Sequence, residues 1–190
     1  MKKRIGILGG TFNPPHIGHL IIANEVLVAL HLDEIRFMPN YTPPHKEIDH
    51  RIRDEDRLHM LRAAIDGHPY FSMELIEMER KGTSYTFDTI KALKEREPEA
   101  DFYFIIGGDM VEYLPKWHRI DELSRMITFV GVRRPGYSVQ TPYRVQLIET
   151  PEIHLSSTAL RQRAADGGTL RYLLPERVIA YIKENRLYET

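Results

Sequence analysis

Two histidines three residues apart, His16 and His19, follow paired glycines and paired prolines in RIGILGGTFNPPHIGHLIIANEV. A strand-like apolar run ends at Gly9-Gly10, and a helical apolar pattern starts directly after the histidines. Residues at i and i+3 share a helix face, so both imidazoles sit at one helix end. Free N–H groups and the helix dipole attract anions there. A histidine can donate to phosphate oxygens from either nitrogen when protonated, and its ordinary pKa near 6.5 makes that state accessible beside an anion. The glycines permit a tight turn and close approach of backbone to a ligand. The stretch is neither a GxGxxG fingerprint nor a P-loop, because no GK[ST] follows. On these residues alone three roles stay open: holding an anion, capping or core packing, and ligating zinc as an HxxH pair. The zinc role lacks the HExxH form and any cysteine partner.

The elements that must position these groups alternate along the chain. RIGIL, EIRFMP, FSMEL, DFYFIIG, ITFVGV and RVQLIE read as strands. Helical patterns cover residues 17–30, 54–66 with Asp54 as N-cap, YTFDTIKALKERE with Ser84 or Thr86 as cap, and 112–126 interrupted by Pro115. Two more follow, one begun by the hydroxyls of HLSSTALRQRAAD and one over 175–185. NYTPPHKEIDH is a polar, proline-bounded loop, and RRPGY is a turn. The run DFYFII is uncharged after Asp101, as central parallel strands buried on both faces are. Strands alternating with helices predict an α/β fold, a doubly wound open parallel sheet with helices on both faces, as one domain over 1–190. In such sheets ligands bind at the carboxyl ends of the strands. Three unusual stretches fall there: GGTFNPPHIGH, GGDM and RRPG.

Composition sets limits on function. Of 190 residues 42% are hydrophobic and 28% charged, with a net charge of −1, which argues against a sequence-independent nucleic-acid binder. The absence of cysteine excludes disulfides and thiolate metal sites. MKKRIGILGG is too briefly apolar for a signal peptide, and no run approaches the roughly 20 apolar residues of a membrane span. A cytoplasmic protein is expected.

GTFNPPHIGH resembles the (H/T)xGH motif of the nucleotidyltransferase α/β-phosphodiesterase superfamily, and LSSTALR, Leu155 to Arg161, resembles its ISSTxIR-type element. TSYTFDT, GGDM, the lone tryptophan in KWH and the total length extend the resemblance over essentially the whole chain, to the bacterial nicotinate-mononucleotide adenylyltransferases. That likeness implies a Rossmann-like enzyme that joins a mononucleotide phosphate to the α-phosphate of ATP and releases pyrophosphate, with no covalent enzyme intermediate. A phosphate monoester is largely dianionic at neutral pH and needs no general base. It needs in-line positioning and neutralised charge.

The resemblance implies roles for particular residues. His16, His19 and Arg161 would be catalytic, with His19 at the α-phosphate and Arg161 on the β- and γ-phosphates. Gly9, Gly10, Thr11, Gly107, Asp109, Ser157 and Thr158 would join them around ATP, Asp109 at a ribose. Lys46, Tyr85, Thr86, Tyr113 and Trp117 would take nicotinate mononucleotide: Lys46 its phosphate, the helix start at Tyr85-Thr86 its carboxylate, Trp117 its ring by stacking. From the residues themselves, Asp109 and Ser156 to Thr158 could be helix caps, Arg161 and Lys46 solvated charges, and Tyr113 and Trp117 packing groups. Mg²⁺ is expected with ATP, bound mainly to phosphate oxygens, so no protein metal ligand is assigned. A homodimer is expected by analogy alone.

Overall fold

The computed structural model describes residues 2–42, 52–133, 140–151 and 153–189. Six strands, β1 (Arg4–Gly10), β2 (Glu34–Pro39), β3 (Phe71–Met73), β4 (Asp101–Gly107), β5 (Thr128–Arg133) and β6 (Val145–Glu149), form one sheet in the order β3-β2-β1-β4-β5-β6. Every pairing is parallel. The order reverses between β1 and β4, which is the switch point of a doubly wound Rossmann-like sheet. Among the described residues, the α-helices are α1 (Ile17–Ala29), α2 (Asp54–Ile65), α3 (Ile76–Arg80), α4 (Thr86–Arg96), α5 (Gly108–Val111), α6 (Ile120–Met126), α7 (Ser157–Ala165) and α8 (Glu176–Glu184).

Alternating side chains on the central strands feed two cores. Ile5, Ile7, Phe102, Phe104, Ile106 and Phe129 pack with Ile90 and Leu93 of α4, Val111 of α5 and Leu123 of α6. Leu8, Ile35, Phe37, Ile105, Val130 and Val132 pack with Val26 of α1, Met60 and Leu61 of α2, Leu160 of α7, and Val178 and Ile182 of α8. Apolar cover on both faces accounts for the uncharged run of β4. The expected architecture is the observed one.

Local expectations needed correction. Arg53, not Asp54, is the N-cap of α2, and Asp54, Glu55 and Asp56 fill its first turn, where the dipole favours negative charge. Tyr85 precedes α4 in place of Ser84 or Thr86. Ser84 is engaged elsewhere, its Oγ accepting from the Tyr41 N–H at 3.1 Å. The helix expected over 112–126 is broken into α5, a 3-10 turn at Leu114–Lys116 and α6, with Pro115 in the turn and Arg119 in left-handed backbone (φ 53°). FSMEL is extended only to Met73. Glu74 turns inward instead: its carboxylate accepts from the Ile76 N–H at 3.2 Å and from Arg36 Nη1 at 3.2 Å. The short helix α3 that follows had no sequence signal. RRPGY from Arg134 onward lies outside the described residues. No helix among the described residues is long and apolar enough to cross a membrane.

Candidate active site

An open cleft of about 660 Å³ lies at the switch point. Its floor is the carboxyl ends of β1 (Leu8 to Gly10) and β4 (Phe104 to Gly107). Thr11 and His19 line it on the β1 side, and Tyr85, Thr86, Lys116, Trp117 and His118 on the other. Eight residues expected at the site from sequence, Gly9, Gly10, Thr11, His19, Gly107, Tyr85, Thr86 and Trp117, are therefore neighbours here.

The local geometry of GGTFNPPHIGH differs from a glycine turn. Gly9 and Gly10 continue β1, and the left-handed residue is Phe12 (φ 49°). That conformation drives the Phe12 ring inward, 1% exposed, with its edge against His19 at 5.1 Å between centroids. A Cβ on Gly10 would stand 3.1 to 3.4 Å from three atoms of that ring. Glycine at this position serves close approach, not a left-handed torsion.

His16 and His19 form one unit. The rings stack at 3.7 Å, and the His16 N–H donates to His19 Nδ1 at 3.1 Å. A neutral His19 that accepts at Nδ1 carries its proton on Nε2, the nitrogen left to meet a ligand. His19 lines the cleft; His16 is only 6% exposed, and its buried Nδ1 has no hydrogen-bond partner among the described residues. Burial lowers His16 from 6.5 to about 4. Burial, and then the neighbouring His16, lower His19 to about 3. Both imidazoles are thus neutral at pH 7 in the ligand-free protein; the charged form expected from sequence was one beside an anion. An arriving polyphosphate favours protonation and pulls both values back up. The first turn of α1 carries no acidic residue to oppose an anion.

The loop behind the histidines is held from two sides. Arg57 of α2, its side chain 0% exposed, donates from Nη1 to the Thr11 carbonyl and from Nη2 to the Asn40 carbonyl, both at 2.9 Å, and its Nη2 meets Asp54 at 2.6 Å. From the opposite side, α7 opens on Ser156, whose hydroxyl caps Ala159 N–H, as the sequence indicated. Ser157 Oγ donates to the Pro14 carbonyl at 2.9 Å. Arg161 donates to the Asn13 carbonyl at 2.8 Å and to Thr158 Oγ1 at 3.3 Å. Thr158 and Arg161 face a neighbouring cavity of about 580 Å³ rather than the main cleft. The two sequence motifs therefore meet through the backbone of Asn13 and Pro14.

At the other end of the cleft, Trp117 is both packed and exposed to it. Its ring stands edge-on to Phe104 and Phe129, each at 5.9 Å, and its buried Nε1 has no partner among the described residues. Thr86 opens α4 with no side-chain cap on the helix. Tyr113 is 54% exposed beneath Lys116 and does not line the cleft. Asp109 lies within α5, so it does not cap the helix after β4, and its side chain is outside the described set. Lys46 also lies outside the described residues.

Polar lining residues with no role assigned from sequence include Asn40, Glu77 and His118. Asn40 follows β2 at the same sheet edge, and its buried Oδ1 has no partner among the described residues. The strand-end rule applied to EIRFMP would have found it. Glu77, 5% exposed, accepts from Thr89 Oγ1 at 2.8 Å; burial raises its pKa against the bonds from Ser84 and Thr89. It sits on α3, which had no signal. His118 stacks obliquely on Tyr85 at 4.8 Å. Among the described residues, no three His, Asp, Glu or Cys side chains converge as a metal cage.

Comparison with known proteins agrees with this geometry. Residues 7–163 match the cytidylyltransferase-like family. A protein of Geobacillus thermodenitrificans named probable nicotinate-nucleotide adenylyltransferase is 58% identical over 185 residues, 97% of this chain and 86% of its own. One of the same name from Bacillus cytotoxicus is 56% identical over 188 residues, 99% of this chain and 100% of its own. Among solved structures, Plasmodium falciparum nicotinic acid mononucleotide adenylyltransferase complexed with NaAD superposes with a TM-score of 0.81 at 20% identity, over 98% of this chain and 97% of that one. That last likeness is one of fold. The chain belongs to the cytidylyltransferase-like family and, within it, to the nicotinate-nucleotide adenylyltransferases.

Proposed function

We propose that this protein transfers the adenylyl group of ATP to nicotinate mononucleotide, forming nicotinate adenine dinucleotide and pyrophosphate in NAD biosynthesis. The observation that carries the reading is the cleft at the β1/β4 switch point, with His19 on one side and the α4 start and Trp117 on the other. A phosphate oxygen of the mononucleotide attacks the α-phosphorus of ATP in line, and the bond to the pyrophosphate oxygen breaks. The nucleophile arrives deprotonated, so no side chain need act as base. His19 donates from Nε2 to an α-phosphate oxygen, and His16 fixes that tautomer by holding Nδ1. Arg161 and Thr158, from the neighbouring cavity, and Ser157 attend the β- and γ-phosphates, with Asp109 and Gly107 toward the nucleoside. Lys46 takes the mononucleotide phosphate. The free N–H groups opening α4 at Tyr85-Thr86 receive the nicotinate carboxylate, which gains from the helix dipole where a neutral amide gains much less.

The metal is part of the substrate. Mg²⁺ travels on the phosphate oxygens of ATP and keeps several waters. It shields charge there, and this chain's histidines and arginine do the rest. A single nucleotidyltransferase domain, a cytoplasmic location and a homodimer complete the reading; the first two fit an enzyme of this size acting on ATP.

The test is pyrophosphate release from ATP and Mg²⁺ with nicotinate mononucleotide, nicotinamide mononucleotide or phosphopantetheine. Release with the first alone supports the assignment. Release with another acceptor alone reassigns the substrate, and none with any acceptor leaves a nucleotide-binding protein. His19→Ala should lower kcat about 10²- to 10³-fold, the effect of losing one donor to a developing charge.

A further inference from the structure

The segment after α8 turns back toward the histidine loop. Two of its residues, neither a glycine, adopt left-handed backbone, Arg186 at φ 50° and Tyr188 at φ 66°. Side chains with a Cβ rarely take that conformation unless surrounding contacts hold it. Leu187 and Tyr188 pack against the core shared by α1, α2 and α8. The Tyr188 hydroxyl lies 3.7 Å from Met60 Sδ and donates to Asn13 Oδ1 at 2.5 Å, across 175 positions of sequence. Asn13 is 3% exposed, so water does not readily replace that donor. The carbonyl of the same Asn13 accepts from Arg161 Nη1. The next carbonyl, of Pro14, accepts from Ser157 Oγ. Two residues later His16 supplies the N–H that fixes His19. Asn13 is therefore a junction: its side chain is held by Tyr188, its carbonyl by Arg161, and its chain leads to the histidine pair.

We propose that Tyr188 is a positioning residue for adenylyl transfer, which by holding Asn13 Oδ1 sets the direction of Arg161 and of the His16–His19 turn toward the ATP phosphates. The inference rests on the assignment of that end of the site to ATP. Tyr188 acts through Asn13 and touches no reacting atom. Its influence belongs to the ATP end, because Trp117 packs in the core on the opposite face of the sheet.

Tyr188→Phe removes the hydroxyl alone. The expected result is a rise in KM for ATP of about fivefold and a fall in kcat of about tenfold, the scale of one hydrogen bond to a buried group. KM for nicotinate mononucleotide should stay within about twofold, since that end of the cleft is not held by Asn13. A purely structural hydroxyl would lower the melting temperature or the active fraction and leave both KM values alone, which overturns the proposal. Asn13→Ala should reproduce the ATP effect, and the double variant should be no worse than Asn13→Ala, as expected for two groups acting through one bond. Additive losses, or wild-type ATP kinetics in Tyr188→Phe, also overturn it. If the wild-type protein turns over no mononucleotide, the substrate assignment fails, and Tyr188 is then judged by calorimetry with ATP alone. Weaker ATP binding in Tyr188→Phe supports its role, and equal binding refutes it.

Discussion

Acidification should destabilise this protein through His16 and His19 before it protonates many carboxylates. Both are neutral in the folded state, held to about 4 and about 3, against 6.5 in the unfolded chain. Between the folded and unfolded values the unfolded chain binds protons that the folded protein does not, so stability falls as pH falls. The contribution is intact above pH 6.5, and the loss grows until about pH 4 for His16 and about pH 3 for His19. Each group costs about 1.4 kcal/mol per pH unit in that window. Going from pH 7.5 to 5 crosses about 1.5 units below 6.5, hence about 2 kcal/mol per histidine and about 4 kcal/mol for the pair. The assay is urea unfolding at pH 7.5, 6 and 5, followed by fluorescence of the lone tryptophan, Trp117. His16→Asn and His19→Gln remove the titration, so subtraction from the wild type cancels every other group. Each variant should lose about 2 kcal/mol less than the wild type over this range, and the double variant about 4 kcal/mol less. Excess ATP should flatten the wild-type slope, because bound phosphate favours the charged imidazoles. Equal slopes for His19→Gln and the wild type would refute the claim that burial keeps His19 neutral.

Other outcomes follow from particular contacts. Arg57→Met should cost about 3 kcal/mol in urea unfolding, because it strips the Thr11 and Asn40 carbonyls of a buried donor while Asp54 stays partly solvated. Gly10→Ala should lower kcat about tenfold or more with a near-native circular dichroism spectrum, since the new Cβ presses on the Phe12 ring that abuts His19. Trp117→Ala should raise KM for the mononucleotide more than for ATP; equal effects on both would mean that its packing against Phe104 and Phe129 is its only role.

The sheet was legible because each central strand is a short apolar run bounded by glycine, proline or charge, and two-sided burial leaves that pattern in the sequence. The α7 start was legible because Ser156 is a local cap, with donor and acceptor three residues apart. Where two local signals competed, the sequence could not choose. Ser84 and Thr86 both look like caps for α4, but Ser84 is taken by Tyr41, a partner 43 positions away. Nothing in the sequence sets Arg57 apart on a charged helix. Its burial is created by the carbonyls of Thr11 and Asn40, at the ends of two other elements. The spacing of the histidine pair marked it out but left three roles open, and its neutrality depends on burial that only the packed loop supplies.

The strand order has a consequence for how the chain acquires its shape during synthesis. β1 is central, yet one of its two neighbours, β4, lies far along the chain: the Arg4 side chain bonds the Tyr103 hydroxyl 99 positions later. Until β4 emerges, β1 can pair only with β2 and leaves an apolar edge open. Closing so distant a pairing is slow, and open edges invite association with other chains. The ribosome-bound intermediate carrying β1, α1 and β2 therefore keeps that edge open, and the cleft comes into being late, when β4 pairs with β1.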